Sequence, residues 1–143
     1  MKKLIIVLIF FLSFHVYGND DLTGKKIVCE DEKNDIIYLR GFNFDNNKKV
    51  TVWSQTSRQN KPSSFQYYYR TTPTTIDLDV EENSNTSTFI IKRKNLEVDY
   101  KLSFENKNLA GYDYKAEKCS IWNGPILDFF YLGILLETQD NKI

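Results

Sequence analysis

Leu96-Glu97-Val98-Asp99-Tyr100-Lys101-Leu102-Ser103-Phe104 alternates apolar and polar residues without a break over nine positions. A period of two sustained that long is the signature of a β-strand with one face buried and one face wet. Ile76, Leu78 and Val80 alternate with Thr75, Asp77, Asp79 and Glu81 in the same way. Together these stretches predict an interior face made of Ile76, Leu78, Val80, Leu96, Val98, Tyr100, Leu102 and Phe104. A register slip of one residue would bury their acidic neighbours instead. Phe65, Tyr67 and Tyr69 fall on one face of a further strand, with Gln66, Tyr68 and Arg70 on the other.

Outward from these, Lys26 to Glu30, Ile36 to Phe44, Val50 to Ser54, Thr88 to Arg93 and Gly111 to Cys119 read as strands rich in β-branched and aromatic residues. Gly41 inside the second of these signals a bulge. Asp45-Asn46-Asn47 and Lys94-Asn95 read as tight turns. The longest polar connections are Gln55 to Ser64 and Val80 to Ser87, and Lys92-Arg93-Lys94 reads as a solvated hairpin turn. Connections this short favour antiparallel neighbours. The expected fold is all-β, with about eight antiparallel strands forming a small barrel or half-barrel, a lipocalin-like meander, and a short C-terminal helix. The domain plan is a signal peptide over 1–18, a β-barrel over 19–122, and an apolar helix and tail over 123–143.

The first eighteen residues set the compartment. Lys2 and Lys3 precede the apolar run Leu4 to Phe14, and Val16 and Gly18 are small enough to flank a cut before Asn19. That is the pattern of a secretory signal peptide, and the run is short for a membrane span. A secreted or periplasmic location follows as the expectation, and outside the reducing cytosol Cys29 and Cys119 are expected to pair. Cys29 lies well past the apolar run, so no lipid anchor is expected there. Asn85-Thr86-Ser87 fits a glycosylation sequon, read here as a chance match. Without its two leader lysines, the chain carries 17 basic against 19 acidic side chains. That balance argues against nucleic acid as a partner.

The segment Phe89-Ile90-Ile91-Lys92-Arg93-Lys94-Asn95-Leu96-Glu97-Val98 resembles a pattern in small secreted bacterial β-barrel proteins of unknown function that carry one N-terminal and one C-terminal cysteine. The placement of Cys29 and Cys119 is also distantly similar to that in the periplasmic lysozyme inhibitors of the membrane-bound type. The resemblance implies a small β-barrel and, through the inhibitors, a role against a cell-wall-degrading enzyme.

The single histidine, His15, belongs to the leader. Histidine-dependent nucleophilic, acid–base and zinc chemistry is therefore not expected of the mature chain, and bridged cysteines leave no thiolate. No phosphate-binding or dinucleotide motif is present, so no cofactor and no metal is expected. Asp77, Asp79 and Glu81 read as the wet face of an amphipathic strand, with a cation site or acid–base pair as the competing reading. Ten Phe, nine Tyr and two Trp are more notable. Strands favour aromatics in any case, but Tyr68, Arg70, Trp53 and Trp122 are the candidates for surface or ligand contacts. Asn123-Gly124-Pro125 is a good helix start, and the residues after it are apolar on every side. Phe129, Phe130, Tyr131 and Leu132 are thus a candidate docking patch, with residues 125–137 mediating self-association or contact with a membrane surface. The functional expectation is a non-catalytic binding module for a protein or a small apolar ligand. The alternative is a periplasmic inhibitor of a cell-wall-degrading enzyme such as lysozyme.

Overall fold

The computed structural model describes residues 20–84, 87–102, 112–116 and 118–132. The expected leader, Asn85 and Thr86 of the sequon, Phe104 and the tail from Gly133 lie outside the described residues, as does the side chain of Leu102. Nine strands among the described residues form one antiparallel sheet: β1 (Lys26–Lys33), β2 (Ile36–Phe44), β3 (Lys49–Thr56), β4 (Ser63–Thr71), β5 (Thr75–Asp79), β6 (Phe89–Lys92), β7 (Val98–Leu102), β8 (Tyr112–Ala116) and β9 (Lys118–Ile121). Each strand from β1 to β7 pairs with its successor in sequence, and β9 pairs back with β1. Because β8 and β9 follow one another along the chain, the sheet is a nearly closed barrel of eight strands.

The closing seam is covalent. Cys29 and Cys119 face each other across β1 and β9 and form a disulfide spanning 90 residues of chain. Such a bond fits a non-cytoplasmic setting. The turns follow local chemistry. Asn34 and Asp35, the two residues between β1 and β2, both take positive φ, the geometry that suits the twist of a two-residue hairpin. Asn47 and Lys48 do the same before β3.

The interior is packed from the middle of the barrel to one end. Phe42, Phe44, Val50, Val52, Tyr69, Ile76, Leu78, Phe89, Ile91 and Val98 form its core with Ile27 and Cys29. Ile76, Leu78 and Val98 lie where their alternation puts them, and Tyr100 and Leu96 pack on the core from partly buried positions. Val80 does not. It is 51 % exposed, because β5 ends at Asp79 and the chain turns away before the alternation can continue. Leu96 is also not in a strand. It sits at φ 58° in the turn between β6 and β7, and Val98 begins the strand.

That packed end is sealed by the chain's own N-terminal segment. Gly24 N–H donates to the Phe44 carbonyl and Phe44 N–H to the Lys25 carbonyl, at 2.8 and 3.0 Å. Leu22 packs on the core, and its N–H donates to the Tyr69 hydroxyl at 3.1 Å. Arg93 pairs with the Asp20 carboxylate at 2.7 Å and donates to the Thr72 carbonyl at 3.0 Å. Lys92 pairs with Glu97 at 2.8 Å. Two members of the basic run are thus partnered within the fold, where a solvated turn was expected.

A second, smaller cluster lies on the outside of the barrel. A short helix, α1 (126–132), lays Ile126 and Phe130 against Val28 and Leu39, with Ile37, Trp53, Trp122 and Phe129 at the margin. Gly41 makes this possible. A Cβ there would lie 2.9 Å from Ile126 Cδ1 and 3.2 Å from Phe130 Cε2. The register runs unbroken through it, Val28 to Gly41 to Trp53, so the expected bulge is absent. This glycine serves close approach of the helix.

Candidate functional site at the barrel end

Opposite the sealed end, the interior changes character. Counting inward-facing positions back along β2 from Phe44 and Phe42 arrives at Arg40, a guanidinium inside a β-barrel. Its neighbours on β3 and β4 are Ser54, Ser63 and Phe65, followed by Tyr67, and β6 and β7 contribute Phe89 and Tyr100. These residues, with Val52 and Ser64, line a cavity of about 300 Å³. The volume is at the low end of the range for small-molecule sites.

Among the described residues, the geometry of the cavity is that of stacked rings with a guanidinium over them. The Arg40 guanidinium carbon lies 5.2 Å from the Phe89 ring centroid and 5.4 Å from that of Tyr100. Those two rings are tilted by 33° with centroids 4.4 Å apart. Tyr67 meets Phe89 edge-on at 5.4 Å, and Phe65 meets Tyr67 at 5.3 Å. Arg40 Nε donates a long hydrogen bond, 3.4 Å, to Ser54 Oγ. Burial pushes the Tyr67 and Tyr100 phenols above their ordinary value; Arg40 pulls both down, but less strongly. Both phenols are therefore neutral donors at neutral pH. The described lining can stack against a flat group and donate hydrogen bonds. Arginine does not deprotonate, so Arg40 contributes a fixed positive charge and not a proton.

No family model, no curated protein and no solved structure matches this chain. The site therefore rests on its own chemistry.

The residues singled out from sequence fall into two other places. Tyr68 and Arg70 lie together on the outer wall beside Asp77 and Asp79, and line a cleft of about 220 Å³ with Lys48, Tyr69, Glu81, Glu82 and Asn83. The expected wet face is not wet there. Asp79 is only 3 % exposed, because Arg70 and the chain after β5 cover it. Arg70 holds Asp79 at 2.9 Å and Asp77 at 3.8 Å, and also donates to the Ser84 carbonyl and to Ser87 Oγ. Burial raises the Asp79 carboxyl above the ordinary value, against the pull of Arg70, and the Asp77 charge adds to the rise. Among the described residues, no group of three or more His, Cys, Asp or Glu side chains is placed to hold a metal ion.

Trp53 and Trp122 lie on the far side, at the margin of the α1 cluster. Trp122 Nε1 donates to the Pro125 carbonyl at 2.9 Å, and its ring meets Phe129 at 5.8 Å. The expected docking patch divides. Phe130 is buried against Gly41 and Phe129 is half-buried, because α1 does have an inner stripe at Ile126 and Phe130, four residues apart. Tyr131 and Leu132 remain exposed, as does Leu127. Among the described residues no helix is long and apolar enough to cross a membrane.

The cavity residues escaped the sequence reading for a physical reason. Around Arg40 both faces of β2 are apolar, since α1 covers Ile37, Leu39 and Gly41 from outside, so no alternation marks which way Arg40 points. The parity of Phe42, Asn43 and Phe44 was the available signal.

Proposed function

We propose that this protein is a secreted or periplasmic, non-catalytic binding module that holds a small, mostly apolar ligand in the cavity at the end of its barrel. The observation carrying this reading is the change from packed core to ring-lined space along one interior. Phe42, Leu78 and Val98 have no exposure to speak of, whereas Phe65 at the cavity is 58 % exposed. A large aromatic left uncovered beside three more rings costs hydrophobic stabilisation unless something covers it. The disulfide and the leader sequence support export. The neutral dye N-phenyl-1-naphthylamine tests the reading. Saturable one-to-one fluorescence enhancement is expected, weakened at least five-fold in Phe65→Ala and Tyr100→Ala. Absence of saturable binding, or binding indifferent to both variants, would overturn it.

The inhibitor reading has one observation in its favour. The loop over residues 57–62 is braced from the end of β3: Gln55 Nε2 donates to the Gln59 carbonyl and Thr56 N–H to Gln59 Oε1, each at 2.9 Å. Ser57 N–H donates to the Ile37 carbonyl, also at 2.9 Å. Rigid protruding loops suit enzyme inhibition because little ordering is lost on binding. Arg58 and Lys61 are exposed on it. Inhibition of a muramidase by purified protein, lost in Arg58→Ala with Lys61→Ala, would favour this reading over the first.

A further inference from the structure

Taking the cavity to be a ligand site, as proposed above, we infer that what enters it is a side chain of an extended peptide, whose backbone adds to the sheet along the edge of β4 over Ser63–Tyr67. Hydrogen-bond parity decides which groups of β4 face which neighbour. Tyr69 N–H donates to the Lys48 carbonyl at 2.8 Å, so in the same register Tyr67 and Phe65 bond to β3. Thr72 N–H donates to the Thr75 carbonyl at 2.9 Å, so Arg70 and Tyr68 bond to β5. But β5 stops at Asp79, opposite Tyr68. Among the described residues no strand takes its place further along, and Arg70 draws the chain aside by bonding to the Ser84 carbonyl and Ser87 Oγ. The N–H and C=O of Gln66 and Ser64 therefore point toward the line that β5 has left. A bulge, a charge or a proline is what normally keeps a strand edge from pairing. Here the register to β3 is unbroken, and Ser63 to Tyr67 carry neither charge nor proline.

Backbone donors and acceptors repeating at every second residue are met by another extended backbone. Run antiparallel to β4, that backbone continues the line of β5, with one residue bonded to Gln66 and the next but one to Ser64. The residue between them lies opposite Phe65, and the one before lies opposite Tyr67. Both side chains then turn inward beside rings that line the cavity, so both positions call for apolar residues. The place opposite Tyr67 is the one Val80 would take if β5 ran on; Val80 is instead 51 % exposed. The two ends of the edge differ in charge. Glu81 and Glu82 are exposed just past β5, and Lys61 is exposed just before β4. A peptide with a basic residue at its amino end and an acidic one at its carboxyl end matches both. A second copy of this chain offers the same edge, but pairing through Ser63–Tyr67 alone falls far short of the roughly 20–30 residues a side of a stable interface.

The probe is acetyl-Lys-Val-Thr-Phe-Thr-Glu-amide, with Val and Phe as the inward pair. It should bind saturably and displace N-phenyl-1-naphthylamine. In the free protein the Ser64 and Gln66 amides should exchange rapidly with solvent, and saturating peptide should slow both by about ten-fold or more. N-methylation of the threonine before Phe removes the donor to the Gln66 carbonyl and should weaken binding by about ten-fold. N-methylation of the Phe, whose N–H points away from β4, should change it by less than about three-fold. Swapping Lys and Glu should weaken binding by about three-fold at low salt, and equal affinities would overturn the assigned direction. Ser64→Pro, at an outward N–H where an edge strand tolerates proline, should abolish peptide binding and spare the dye. Equal effects of the two methylations would overturn the backbone pairing. Dye binding without peptide binding would also overturn it and leave the cavity reading standing, whereas absence of dye binding would overturn that reading as well. Ser64 and Gln66 amides already protected in the free protein would show the edge to be covered, by a second copy if protection grows with concentration, and would overturn the inference. Because the methylated peptides need no variant, the inference stays testable even if Ser64→Pro fails to fold.

Discussion

The two ends of this barrel are built from the same strands and use opposite solutions. At the sealed end, tight turns bring β2 and β3, β4 and β5, and β6 and β7 together, and the segment before β1 folds across the mouth. There Leu22 meets the core, Tyr69 accepts the Leu22 amide, and Arg93 grips Asp20. At the other end the β3–β4 and β5–β6 connections are longer, the inward residues include a guanidinium and hydroxyls beside the rings, and a cavity takes the place of a core. One strand shows the contrast by itself. Along β2, Phe44 and Phe42 are fully buried, and two residues further Arg40 faces the cavity. Packing density is thus concentrated where stability is needed, and the rings at the other end are held in place by a wall that is already rigid.

The largest effects should come from the middle, which both ends share. Leu78 and Val98 have no solvent exposure. Leu78→Asp and Val98→Asp would each place an unpaired charge in hydrocarbon, so loss of any cooperative unfolding transition is expected in chemical denaturation. Near-normal transitions would mean that the inward face has been misassigned. Next is the seam. Replacing Cys29 and Cys119 by Ser releases a 90-residue loop, worth about 4–5 kcal/mol in the chain-entropy account. A denaturant midpoint that barely moves would show that the β1–β9 ladder closes the barrel without help.

The ends themselves should separate stability from binding. Leu22→Ala is expected to cost about 1–2 kcal/mol, the reduced value for a half-buried leucine, and to leave dye binding alone. Phe65→Ala is expected to cost about 0.5 kcal/mol or less, since the ring is mostly exposed, while weakening the dye. If both variants lose stability equally and neither affects binding, the ends do not differ in purpose.

Much of the packed core was legible in the sequence, and much of the cavity was not. Alternation exposes a strand's facing only when one side is wet. Ile76, Leu78 and Val98 stand opposite acids, so their side of the sheet was plain. The paired cysteines, read with the leader, pointed to the first and last strands. Around Arg40 that contrast vanishes, because α1 makes the outer face of β2 apolar as well. A charged residue between Leu39 and Gly41 then gives no sign of its facing. The acidic positions of β5 misled in the opposite sense: their parity is outward, as alternation requires, but Arg70 and residues beyond β5 cover Asp79, and outward did not mean wet. Both failures share a cause. Period two reports which face a side chain takes, and says nothing about what another element later lays over that face.

The smallest predicted effect is a difference of sign under acid between the sealing segment and the outer wall. Asp21, in the sealing segment, accepts from the Thr23 hydroxyl at 2.6 Å and the Thr23 amide at 3.0 Å. These bonds favour its ionised form and hold its carboxyl below the ordinary 3.8. Its contribution is present above that value and is lost as pH falls through the folded one. Asp79 behaves the other way. Burial raises it above 3.8 in spite of Arg70, so the folded chain binds a proton there more readily than the unfolded chain. Its contribution is complete below 3.8 and declines as pH rises through the raised value. Melting temperatures of the wild type, Asp21→Asn and Asp79→Asn should be compared from about pH 3 to about pH 7. Asp21→Asn should lose its deficit against the wild type at the acid end, where the wild-type carboxylate is also neutral. Asp79→Asn should gain on the wild type as pH rises. Asp21 is fully exposed, so its curve should be the shallower and should flatten in high salt. Difference curves sloping the same way would mean that the Arg70 pairing outweighs burial at Asp79, and that the outer wall is held together by charge after all.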